Sequence, residues 1–118
     1  APLKLDAIIE YYGEYILNPP IMGGCPLINT AVEADDNYPE LRARVVRTIG
    51  IIQHAIEKIT YRGISEGQIK NDFKVDEFAT AFFATIEGAI IISRLQGDQR
   101  SYQLIAKTLH KQVESITI

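Results

Sequence analysis

Apolar residues recur at three- and four-residue steps from Leu3 to Leu17. Leu5, Ile8, Ile9, Tyr12, Tyr15 and Ile16 share one face there, with Glu10 and Glu14 opposite, which predicts a first amphipathic helix. Asn18, Pro19 and Pro20 end it, because proline lacks a donor and pushes the preceding residue out of the α region. After Gly23 and Gly24, the spacing of Cys25, Ile28, Asn29 and Val32 predicts a short second helix. The run EADDNYPE has the composition of a turn, and Pro39 with Glu40 suits the start of a third helix. That helix carries Leu41, Val45, Thr48, Ile49, Ile52, Ala55, Ile56 and Ile59 as one stripe. It runs to about Ser65, with Gly63 a weak point and Gly67 the stop.

QIKNDFK reads as a loop, and the segment from Val75 to Leu95 is nearly all apolar. Val75, Phe78, Ala79, Phe82, Phe83, Ile86, Ala89 and Ile90 form one broad helical face, and Ala81, Thr85, Gly88 and Ile92 form a second, mostly of small residues. Only Asp76, Glu77, Thr80, Glu87 and Arg94 make a polar strip, so this fourth helix needs cover on two sides. Gly97 closes it, Asp98 or Ser101 can cap the next, and Tyr102, Ile105, Ala106, Leu109, Val113 and Ile116 stripe a last helix from Ser101 to Ile116. The expected fold is an all-α, five-helix bundle forming a single domain over 1–118. Its last two helices carry more apolar surface than the other three can cover. A homodimer follows, built as an intermolecular four-helix bundle, with Ala81, Thr85, Gly88, Ile92, Tyr102, Ile105, Leu109 and Val113 as its interface.

Composition narrows the function. An apolar share of 47% against 23% charged residues excludes a disordered chain. Twelve basic and fifteen acidic residues give a net charge of −3, with no basic field to hold a phosphate backbone. DNA binding by this chain alone is not expected. No stretch of about eighteen continuous apolar residues and no basic leader is present, so neither a membrane partner nor a signal peptide is expected. One cysteine makes no internal disulfide, and with two histidines it makes no zinc pattern; a cytoplasmic setting without cofactor or metal is the expectation.

The order of these features resembles the C-terminal regulatory domain of TetR-family transcriptional repressors. The resemblance is carried by GCPLINTAVEADDNYPELRARV at 24–45, EGQIKNDFKVDEFA at 66–79, TAFFATIEGAIIISRLQGD at 80–98 and the closing helix from Tyr102. Lys74 departs from it, standing where many members carry an acidic cap, although Asp76 and Glu77 still suit the helix dipole. The resemblance implies effector binding and dimerisation. It also implies a helix-turn-helix domain, expected ahead of Leu3 and outside these 118 residues, so DNA is expected as a partner only through that N-terminal part.

Candidate chemistry is sparse. Cys25 reads as a small buried filler, His54 and His110 as surface residues, and Glu33, Asp35, Asp36 and Glu40 as a solvated turn without the spacing of a calcium loop. No converging acid, base and nucleophile points to an enzyme. An effector site is expected inside each subunit, lined by Tyr12, Tyr15, Asn29, Thr48, Ile52, Phe82, Phe83 and Ile86, each on the inward stripe of its helix. Such a lining suits a small, mostly apolar compound. The competing reading is a helical protein-protein interaction module with no ligand site.

Overall fold

The computed structural model describes residues 1–17 and 39–118, with 15–17 as backbone only. Among them are four helices: α1 (Pro2–Leu17), α2 (Pro39–Ser65), α3 (Val75–Gln96) and α4 (Arg100–Ile116). These correspond to the expected first, third, fourth and fifth helices. The expected short helix with Cys25, Ile28, Asn29 and Val32 lies outside the described residues, so the count of five rests on the sequence alone. No strand occurs among the described residues; Ile69 and Thr117 form one isolated antiparallel bridge.

The apolar helix α3 is the centre, and α1, α2 and α4 all pack on it. Its buried face is Val75, Ala79, Phe82, Phe83, Ile86, Ala89, Ile90 and Ser93, the three-and-four spacing the sequence displays. Leu5 and Ile9 of α1, Ile56 of α2 and Tyr102, Leu109 and Val113 of α4 complete the core. Burying one such side chain contributes about 1.5–3 kcal/mol. By length and composition α3 could also cross a membrane, although the sequence lacks eighteen continuous apolar residues. Its Phe82–Ile86–Ile90 face sits beneath three other helices, as the core helix of a bundle does.

A tight turn makes α3 and α4 a hairpin. Gly97 has φ 75°, a left-handed conformation that glycine adopts without steric cost. Its N–H donates to the Arg94 carbonyl and that of Asp98 to the Ser93 carbonyl. Ser93 then caps α4 across the turn, its Oγ accepting the Tyr102 N–H at 2.9 Å. The Asp98 carboxylate accepts the Arg100 N–H at 3.0 Å, but the N-cap position itself falls to Gln99, and the Ser101 hydroxyl donates to Gln96 Oε1, so neither residue offered by the sequence sits at the cap.

As expected, α2 runs through Gly63 to Ser65, and Ile69 folds back onto the bare Cα of Gly63. An added Cβ would stand 2.5 Å from Ile69 Cδ1, and Ile69 is itself fully buried. Gly63→Val is expected to cost about 2–3 kcal/mol through overpacking. Exposed Gly50 has open space around it, so Gly50→Ala should gain about 0.5–1 kcal/mol from helix propensity. Urea denaturation of the two variants checks both signs; two shifts in the same direction would contradict the packing described.

Candidate functional site

The interior expected to receive an effector is where α1 and α2 lean on α3. Phe82, Phe83 and Ile86 are buried in the core cluster, and Tyr12 and Ile52 pack against it half-buried, with Ile49 beside them. The Tyr12 ring meets Tyr11 edge-on at 5.3 Å. Five of the eight expected lining residues thus join one apolar cluster. Thr48 does not: it is exposed, and its hydroxyl donates to the Arg44 carbonyl one turn back at 3.0 Å. It lies at the edge of the isoleucine stripe, and local back-bonding satisfies it. Asn29 and the Tyr15 side chain are outside the described residues. Among the described residues the buried polar side chains are instead Thr60, whose hydroxyl donates to the Ile56 carbonyl, and Ser93.

The second face of α3 points away from this core. Ala81, Thr85 and Ile92 are exposed and Gly88 is half-buried; Leu95 is 84% exposed, and Leu104 on α4 is 55% exposed. The Thr85 hydroxyl donates to the Ala81 carbonyl at 2.6 Å, so the row offers small groups with its one hydroxyl satisfied. Tyr102, Leu109 and Val113 do not belong to this surface. They are at most 3% exposed, enclosed by α1 and α3 of their own chain, so they have almost no area left to offer a partner. Ile105 is half-buried against the same core.

A polar cluster on the seam between α1 and α4 was not legible in the sequence. His110 Nδ1 lies 2.7 Å from Asp6 Oδ1, and Nε2 lies 2.7 Å from Glu10 Oε1. His110 is therefore half-buried and doubly engaged, not a free surface residue. Burial works against its charged form, but the hydrogen bonds that the ring donates to Asp6 and Glu10, with their negative charges, outweigh that and raise its pKa above the ordinary histidine value. Two turns back on α4, the Tyr102 hydroxyl donates to the Ile9 carbonyl at 2.6 Å. Burial first, then the charges of Glu10, Tyr12 and Glu87, push that phenol upward, so it remains a neutral donor. The only forewarning was an acidic pair one turn apart on the first helix and a lone histidine on the last. No spacing rule joins residues a hundred positions apart. Among the described residues no group of three or more His, Cys, Asp or Glu side chains is placed to hold a metal ion.

Comparison with known proteins covers nearly the whole chain. The family model described as Tetracyclin repressor-like, C-terminal domain matches residues 1–109. Two HTH-type transcriptional regulators of Mycobacterium tuberculosis strains are each 28% identical over 116 residues, 97% of this chain and 57% of the relative. The crystal structure of a TetR transcriptional regulator from Chloroflexus aurantiacus superposes with a TM-score of 0.93 at 29% identity, covering 98% of this chain and 59% of that one. A TetR-family regulator from Cytophaga hutchinsonii gives 0.85 at 26%, covering 97% and 59%. The chain thus spans just over half the length of the proteins it matches. On a family match that takes in all of α1 to α3 and most of α4, this chain belongs to the TetR family of transcriptional regulators, as its C-terminal domain.

Proposed function

We propose that this domain holds two copies of a cytoplasmic transcriptional regulator together and receives a small, mostly apolar effector, with DNA contacted only by a separate N-terminal domain. The observation that carries the proposal is the surface of α3, where exposed Ala81, Thr85, Ile92 and Leu95 back onto a fully buried core face. A helix apolar on two sides gains by burying the second. A second copy supplies that cover as a four-helix bundle of α3 and α4 from each chain, and the small side chains let the helices approach closely.

The effector reading is supported by the half-buried Tyr12, Ile49 and Ile52 around Phe82, Phe83 and Ile86, an apolar wall with a phenol at its edge. A ligand there would favour one placement of α2 and shift a pre-existing equilibrium by its differential affinity for the two states. Complete burial of Phe82 and Ile86 against the chain's own side chains favours the second reading, an interaction module without a ligand site.

Thermal denaturation with a panel of aromatic and lipophilic compounds separates the two. A compound at a hundred times its Kd adds about 2.7 kcal/mol to folding stability, roughly 10 °C in Tm for a domain of this size. Ile52→Trp, which fills the half-buried position, is expected to abolish that gain. A panel without any shift, or a shift that Ile52→Trp leaves intact, would favour the module.

A further inference from the structure

We propose that Asp6, Glu10 and His110 form a proton-operated clamp between α1 and α4, closed while the imidazole carries both ring protons and loosened when it loses one. The argument is geometric. Asp6 and Glu10 stand one turn apart on α1 and bracket the ring, each 2.7 Å from a different ring nitrogen. An ionised carboxylate only accepts, and a neutral imidazole has a single N–H to donate. Two carboxylates at hydrogen-bond distance therefore call for the imidazolium. Once it is deprotonated, one nitrogen lone pair faces a carboxylate and that bond becomes a repulsion.

The neighbours fix which part of the seam responds. On α1, Asp6 and Glu10 face the ring, and Glu14 follows further along the same groove, a hollow of about 310 Å³. On α4 itself, Lys107 borders the groove and Glu114 lies one turn beyond the ring. No charged residue of α3 lines the groove; Glu87 acts on the Tyr102 phenol instead. The Tyr102–Ile9 bond keeps its proton throughout, and Leu5 and Ile9 stay anchored in the core. The seam thus has one rung that titrates and one that does not, so α1 pivots about Tyr102 rather than detaching. The His110 side chain is 33% exposed and exchanges its proton directly with solvent.

The direction follows from the raised histidine pKa. The clamp's stabilisation is complete below the ordinary histidine value and is lost as pH rises through the folded-state value, so loosening occurs on the alkaline side. Because α1 also carries Tyr12, the clamp sets one wall of the proposed effector site. It is read without any effector and fails separately from that reading.

Thermal melts of the 118-residue chain and of His110→Gln, from about pH 6 to about pH 9, test it. The parent is expected to melt about 4 °C above the variant at the acid end, with the gap closing at the alkaline end. A gap that does not change with pH overturns the clamp. Nitrogen-detected NMR of the parent is a second readout that needs no variant of the clamp, with the two histidine signals assigned by His54→Gln. Two protonated ring nitrogens on His110 at neutral pH, with a midpoint that falls in Asp6→Asn/Glu10→Gln, are expected. A single ring proton at neutral pH, or a midpoint indifferent to the double substitution, refutes it.

Discussion

Gly88→Glu is expected to turn a dimer of about twice 13.2 kDa into a 13.2 kDa monomer, with little change in helix content. A Cβ added at Gly88 meets nothing within 4 Å in the protomer, so the fold is expected to accommodate the substitution. In the proposed assembly it would lie midway along the row from Ala81 to Leu95, where a carboxylate would be stripped of water without a partner and a two-fold axis would bring its twin towards it. Such a burial costs at least about 3 kcal/mol, a hundredfold or more in the dimer Kd. Thr80→Glu, on the polar strip of the same helix, should leave the mass unchanged. Light scattering at micromolar concentration decides the matter: equal masses for both variants would place the interface elsewhere.

Leu109→Ala should act on the fold and spare the assembly. Its side chain is 0% exposed within one chain and packs in the cluster formed by α1, α3 and α4. Removing it is expected to cost about 2–5 kcal/mol, on the order of 10 °C or more in Tm. Below that lowered Tm the variant should still weigh as a dimer. Dissociation at an unchanged Tm would move Leu109 from the core to the interface.

That pair of variants also marks where the sequence stopped being informative. The two faces of α3 could be read directly, because a helix whose polar strip holds only five residues has few ways to lie. The stripe of α4 could be read as a stripe, yet its cover could not. Tyr102, Leu109 and Val113 show the same periodicity whether the surface over them is α1 of the same chain or a helix of another. Thr48 misled for a related reason: a hydroxyl on an apolar stripe looks like an inward polar group until the Arg44 carbonyl is seen to take its proton. Of the residues expected to line an effector site, the gathering of Tyr12, Ile52, Phe82, Phe83 and Ile86 in one apolar cluster was legible from periodicity. The His110 cluster was not, since its partners come from the opposite end of the chain.

The hairpin closed by Gly97 carries a consequence for the order of folding. Tyr102 finds Ser93 only nine residues away, so α3 and α4 meet at little loop-closure cost, whereas the same residue meets Ile9 across 93 positions. Local pairing of this kind is expected to form ahead of the long closure that seats α1. Lesions within the hairpin then slow refolding, and lesions confined to the α1 seam mainly hasten unfolding. The two surfaces so far distinguished by what they touch are thereby expected to differ in time as well, with the face proposed for assembly taking shape before the helix that closes the core behind it.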